Sequence, residues 1–418
     1  MPVYILAFSN FMTTQPKDIR IEQFNYSLPN ERIAKHPLPK RDSSKLLIYQ
    51  QGYISDTTFN EIAPLLSPSD ILILNDTKVI PARIIFHKSS GASIEVFCLE
   101  PIGFSHQDAM IQKKQISWKC LVGGAKKWKN DELLQMTFSA DGIEVLLTAQ
   151  KISKEAEYFV IQFHWSDSQL TFSEILQFAG EIPLPPYFNR KAEEEDIIRY
   201  QTVFAIAEGS VAAPTAGLHF TTQLFDELKK MDVQIKEITL HVGAGTFRPV
   251  SSETLEGHSM HSEIFSVEIE LLKLLKDSID NRIIVVGTTS MRTLESLYWL
   301  GVKLKTGAKF TDELPTLHQW ECYELNDDID LASSIEAILD YCKRNGLHQF
   351  AASTSIMITP GYKFKVCRGL ITNFHMPQST LLLLVSAFVG DDWKKIYDYA
   401  MDNDFRFLSY GDSSILLP

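Results

Sequence analysis

Histidine exchanges protons near neutrality, and several histidines of this chain stand among small residues at element boundaries. His219 follows Thr215-Ala216-Gly217-Leu218. His241 follows the run Ile235–Leu240 and precedes Gly243, Gly245 and Thr246. His261 shares the segment His-Ser-Met-His-Ser-Glu with Glu263, which could orient it or raise its pKa, and His375 closes a run that contains Asn373. Small residues let backbone N–H groups approach a ligand closely. Arg248 and Arg292 can grip a carboxylate with two parallel hydrogen bonds, and Thr246, Thr288 and Thr289 can meet hydroxyls. Asn75-Asp76-Thr77 ends an apolar run and Arg83 follows soon after. That pattern suits either an Asx turn or a substrate contact at a strand end.

Other chemistries fit less well. His258 and His261 form H-x-x-H, but no third metal ligand stands at a usual spacing. Gly243-Ala244-Gly245 has Arg248 where a dinucleotide fingerprint needs its third small residue, and no G-x-S-x-G nucleophile motif is present. The five cysteines are odd in number and lack a C-x-x-C pair, which disfavours disulfides and thiolate zinc and fits a reducing cytoplasm.

These residues need elements to hold them, and 418 residues suggest two or three domains. Ile71–Leu74 reads as a buried strand. Between 84 and 165 short β-rich runs alternate with turn signals such as Ala140-Asp141-Gly142, which predicts a small antiparallel β-barrel inserted into another domain. The remainder, 17–83 and 166–418, predicts an α/β domain. Its helices fall over 173–179, 221–231, 271–279, 292–299 and 330–344, and its strands over 234–242 and 282–286. The run 376–390 is too short and too interrupted to cross a membrane and reads as a buried helix. Residues 1–16 form a poor signal peptide and predict a disordered or mis-assigned start, with Met12 an alternative first residue.

A net charge of −12 excludes a protein that coats nucleic acid unspecifically, so an RNA partner must meet local patches. Lys35, Lys40, Arg41 and Lys45 make one basic cluster. Lys113–Lys129 makes another, with six lysines (Lys126, Lys127 and Lys129 among them) and no acid, while Lys363, Lys365 and Arg368 make a third.

The segments SVAAPTAGLHF, HVGAGTFRPV, HSMHSE, VGTTSMRTLES and LITNFHMPQSTLLLLVSAFVG carry a resemblance to a known family. LNDTKVIPAR, HPLPKRDSSKLL, PLPPY followed by RYQTVFA, and FRFLSYGDSS join them. Together, in order over 24–414, they resemble the S-adenosylmethionine:tRNA ribosyltransferase-isomerase family of queuosine biosynthesis. The resemblance implies an α/β domain with an inserted β-barrel. It implies transfer and isomerisation of the ribosyl part of S-adenosylmethionine onto 7-aminomethyl-7-deazaguanine at a tRNA wobble position, giving epoxyqueuosine, adenine and methionine. It also implies no metal and no cofactor beyond S-adenosylmethionine as co-substrate. The chain is further expected to be cytoplasmic, from its cysteine usage, and a monomer.

Such chemistry needs a base and an acid. The expected catalytic group is His219, His241, His261 and Glu263, with Asp76 and Glu295 as the next candidates. The expected substrate-binding group is Asn75, Asp76, Arg83, Thr215, Gly217, Gly243, Gly245, Thr246, Arg248, Thr288, Thr289, Arg292, Asn373 and His375. Lys35, Arg41, Lys45, Lys126, Lys127 and Lys129 are the expected tRNA contacts. The chain departs from the family at 303–350, which is longer than usual, and at Ser353–Thr359, which lacks the family's Asp. The alternatives are a transferase of the same family acting on another acceptor, and a non-catalytic tRNA-binding protein.

Overall fold

The computed structural model describes residues 15–243, 250, 252–310 and 314–418. Gly245, Thr246, Arg248 and the start as far as residue 14 lie outside the described residues; Pro16–Asp18 is a 3-10 turn. The described residues form two compact units. The first contains 15–75, 215–240, 250, 252–310 and 314–418, and the second contains 76–214 and 241–243.

The first unit is built on a mixed ten-stranded sheet. Its strand order is Thr316–Leu317, Gln349–Thr354, Glu263–Glu268, Gln234–Leu240, Ile71–Asn75, Ile283–Val286, Gly369–Asn373, Ser413–Leu417, Lys45–Gln50, Tyr53–Thr58. The middle four, from Gln234–Leu240 to Gly369–Asn373, are parallel neighbours. Three of them are buried at every residue, as expected where a parallel sheet is covered on both faces. Their carboxyl ends, Asn75, Leu240, Val286 and Asn373, carry or adjoin the motif segments, the edge where open α/β sheets place ligands.

The helices follow their capping residues. Thr221 accepts from Leu224 N–H and Asp330 from Ser333 N–H, opening Thr222–Lys230 and Leu331–Asn345 close to their expected starts. Ser379 caps the buried helix Thr380–Val389 within the apolar run. The helix expected over 292–299 is longer, Thr288–Lys305. Gly287, at φ +89°, makes the turn into it, a conformation glycine adopts without Cβ strain.

The second unit runs from 76 to 214, where the sequence placed an insertion over 84–165. It holds a seven-stranded antiparallel sheet in the order Gly180–Glu181, Arg83–His87, Ser93–Pro101, Gln115–Gly123, Phe159–Trp165, Ile143–Lys154, Leu134–Ala140. The sheet curls until Leu134–Ala140 comes beside Arg83–His87. Among the described residues no strand pairing joins its two ends, so the expected small antiparallel barrel is met as far as an open, curled antiparallel sheet. Trp118, Phe163 and Phe172 fill its core, Phe172 from the helix Phe172–Ala179, which starts with a Thr171–Glu174 capping box. A parallel pair, Thr77–Val79 with Ala207–Ser210, lies apart from this sheet. Among the described residues no helix is long and apolar enough to cross a membrane.

Candidate active site

In the first unit, Thr215–His219 is a buried 3-10 turn whose small residues bring His219 into a closed hydrogen-bond network. His219 Nδ1 lies 2.9 Å from Ser44 Oγ and 3.4 Å from the Arg41 carbonyl oxygen. Nε2 lies 3.3 Å from the Asn373 amide nitrogen, and Asn373 Oδ1 accepts from Thr215 Oγ1 at 2.9 Å. A carbonyl only accepts and an amide NH₂ only donates, so the proton sits on Nδ1 and Nε2 accepts. Burial pushes the pKa down to about 4, against an opposing pull from the Asp412 carboxylate. Protonating Nε2 would set two donors face to face. His219 is therefore a fixed neutral ring that ties Thr215, Asn373 and Ser44 together, which unites three of the expected residues with one, Ser44, that lies in the segment HPLPKRDSSKLL but is not among the expected site residues.

Other expected residues are also occupied. The Asn75 side-chain amide donates to Leu240 O and accepts from Leu240 N, both at 3.0 Å, clipping two parallel strand ends together. Glu263 and Arg292 form a buried ion pair, and Arg292 Nε reaches the Ile356 carbonyl at 3.3 Å. The second guanidinium nitrogen, Nη2, is buried and has no partner among the described residues. Thr288 and Thr289 are buried in the first turn of the same helix. Glu295 accepts from Tyr362 Oη at 2.8 Å and from the backbone N–H groups of Lys365, Val366 and Cys367 at 2.9–3.0 Å, so its carboxylate is saturated. His375 is half-buried, desolvation pushes its pKa down to about 3, and its Nε2 bonds Thr372 Oγ1 at 3.0 Å. His261 is exposed. Gln319 clamps the loop before it, accepting from Met260 N–H and donating to the His258 carbonyl. Among the described residues no group of three or more His, Cys, Asp or Glu is placed to hold a metal ion.

The second unit presents His241 differently. Thr77 Oγ1 donates to the Ala207 carbonyl at 3.3 Å and lies 3.3 Å from His241 Nδ1. A hydroxyl has one proton, so with that proton on Ala207 O it accepts from Nδ1–H. The lone pair of His241 then sits on Nε2, for which the described residues supply no partner. The ring stacks on His106 with centroids 4.3 Å apart and planes 25° from parallel. Burial first, and the neighbouring His106 second, hold its pKa down at about 3. His106 carried no motif; the only local sign was Ser105-x-x-Asp108, the cap of a short helix. Asp76 accepts Ile206 and Ala207 N–H groups through its carbonyl, and Arg83 pairs with Glu95 at 3.5 Å and covers the Phe97 ring. Among the described residues none has an atom within 4 Å of where a Cβ on Gly243 would stand.

The basic clusters also separate. Lys126, Lys127 and Lys129 are exposed around a turn anchored by buried Trp128, whose Nε1 donates to Glu132 O at 2.8 Å. In the first unit Lys35 is exposed, Arg41 donates to the Leu218 carbonyl, and Lys45 donates to the Asn403 carbonyl at 2.6 Å. Lys363 and Lys365 both pair with Asp327.

Residues 21–416 match the family described as queuosine biosynthesis protein. The chain is similar to the S-adenosylmethionine:tRNA ribosyltransferase-isomerase of Trichlorobacter lovleyi, with 36% identity over 95% of this chain and 99% of the relative. It is likewise similar to the protein of that name from Halothermothrix orenii, with 38% identity over 96% and 100% of the two chains. A solved structure of an S-adenosylmethionine tRNA ribosyltransferase from Thermotoga maritima shares 28% identity over 94% of this chain and 100% of that one, at a TM-score of 0.45. With nearly its whole length matched, this chain belongs to the queuosine biosynthesis protein family.

Proposed function

We propose that this enzyme transfers and isomerises the ribosyl moiety of S-adenosylmethionine onto 7-aminomethyl-7-deazaguanine at a tRNA wobble position, producing epoxyqueuosine and releasing adenine and methionine. The observation that carries this reading is the match along residues 21–416, shared with relatives of that name at 36–38% identity. The reaction opens with a proton transfer. The sulfonium acidifies the neighbouring C5′–H bonds, and a neutral imidazole with an uncommitted lone pair can take one such proton while the electron pair stays on carbon. His241 Nε2 has that form, whereas both nitrogens of His219 are already bonded. His241 is accordingly the catalytic base, and His219 positions Thr215 and Asn373. No metal or further cofactor enters this scheme, and the protein works in the cytoplasm as a monomer.

The test is adenine release from labelled S-adenosylmethionine. Release only with tRNA carrying the aminomethyl base is expected. Release with a different acceptor would replace the acceptor, and tRNA binding without release would make the protein a non-catalytic binder. Lys126, Lys127 and Lys129 bind tRNA phosphates in this reading. Neutralising all three should flatten the salt dependence of tRNA binding by about one log–log unit for each phosphate no longer neutralised, with S-adenosylmethionine affinity unchanged. An unaltered slope would show a merely solvated surface.

A further inference from the structure

His106 stands 135 positions before its stacking partner, in a segment outside every matched motif, yet the second unit holds its ring from several sides. It is 6% exposed, meets the Trp118 ring edge-on at 6.1 Å, and has a backbone hydrogen bond with Leu99. Ser105 Oγ accepts from Asp108 N–H at 3.1 Å and fixes the start of the helix His106–Met110. Gly209 runs past it at φ +139°, and a Cβ there would fall within 2.8–3.0 Å of His106 Cβ, Cδ2 and Cγ. The glycine is thus required twice, by its backbone angle and by the ring it abuts. None of these contacts depends on His241, so the His106 ring is set before its partner is added.

We propose that His106 is a positioning residue for His241: its ring is the shelf that fixes the plane of the His241 imidazole and faces that imidazole when it takes up a proton. Thr77 pins one edge of His241 through Nδ1, and His106 pins the face. Two constraints on a flat ring fix the direction of the remaining lone pair on Nε2. The charges nearby are already paired. Glu100, which acts on His106, is bonded to Lys119 at 2.8 Å, and Glu208 holds Lys78 at 2.9 Å and Ser173 at 2.6 Å. Burial keeps the His106 pKa below its ordinary value, so near neutral pH the shelf is an uncharged π face, on which an imidazolium stacks more favourably than on a second cation.

The proposal rests on reading His241 as the base, and its test separates the two. In the full-length enzyme, His106→Ala should lower kcat about 10- to 100-fold, the usual cost of a catalytic group displaced by about 1 Å, with KM for S-adenosylmethionine within a few-fold. His106→Phe, which keeps a flat ring without its nitrogens, should recover most of the loss. The ¹³Cε1 resonance of His241 in histidine-labelled protein should titrate at higher pH in His106→Ala than in the parent, as water reaches the ring, and move less in His106→Phe. Should His106→Ala fail to fold, Gly209→Ala displaces the same ring and should shift turnover and resonance in the same direction. Parent kcat with an unmoved His241 titration overturns the proposal, and so does a Phe variant as impaired as the Ala variant. Full turnover in His241→Ala would instead overturn the base assignment, and the resonance would still decide whether His106 positions the ring.

Discussion

His219, buried, and His241, half-buried, differ in one respect that their sequence settings conceal. Both follow the same logic of small residues near a strand or turn, and burial lowers the pKa of both. In the first unit His219 has acceptors on one side of its ring and an amide donor on the other, and the loop of bonds closes. In the second unit His241 has one nitrogen engaged and the other open. A closed network holds a fold together, because leaving any buried member unpaired costs about 1–3 kcal/mol. An open one keeps a lone pair available for chemistry. Residue type did not distinguish them, but hydrogen-bond closure does.

The strongest way to break this contrast is to remove the open member. His241→Ala should reduce turnover by about 10²–10⁴-fold, the usual loss for a general base, with an unfolding midpoint near the parent's. Unchanged turnover would sink the distinction. The most tightly closed network, around Glu295, predicts the opposite pattern. Glu295→Ala strands four donors and should cost about 3–5 kcal/mol of stability in denaturant titration, as for removing one partner from a buried charged network. His219→Asn sits between these extremes, with about 1–3 kcal/mol lost and most turnover retained per folded molecule. A fall in turnover as deep as that of His241→Ala would make His219 catalytic.

Acidification sharpens the comparison further. His219, His241 and His375 have folded pKa values of about 4, 3 and 3 against an ordinary 6.5. The unfolded chain therefore binds protons that the folded one refuses. Their contribution to stability is complete above about pH 6.5 and is lost as pH falls toward 3–4. The melting temperature should hold steady above neutrality and drop below pH 6.5, and replacing His375 with Gln should lessen the drop.

Much of the architecture could be read from local pattern. Ile71–Leu74, the strands of 84–165 and the capped helices at 221, 330 and 379 announced themselves through apolar runs, turns and N-caps. The first turn of Thr288–Lys305 did not. That helix is buried over Thr288–Val302, so no amphipathic stripe marks it, and Gly-Thr-Thr reads as a turn. Sheet closure is also non-local: whether Gly180–Glu181 pairs with Leu134–Ala140 cannot be read from either strand. At the site, motifs located His219, His241, Thr215, Asn373 and Arg292 but not their roles. His106, outside every motif, and Ser44, inside HPLPKRDSSKLL but not singled out there, escaped because each matters only through a ring 135 and 175 positions away, respectively.

The strand Ser413–Leu417 lies between Gly369–Asn373 and Lys45–Gln50, pairing Leu46 with Ser413 through to Gln50 with Leu417. During synthesis, the seven-stranded sheet has all its strands once residue 181 has emerged, whereas Lys45–Gln50 has no inner neighbour until residue 417 has been added. The nascent chain thus carries an exposed hairpin edge through most of its translation, at about 5–20 residues per second, and long-range parallel pairing of this kind is slow and prone to aggregation. The second unit can mature on the ribosome. The first stays incomplete until Ser413–Leu417 has been added, which makes that five-residue strand the step that commits its sheet to the native state.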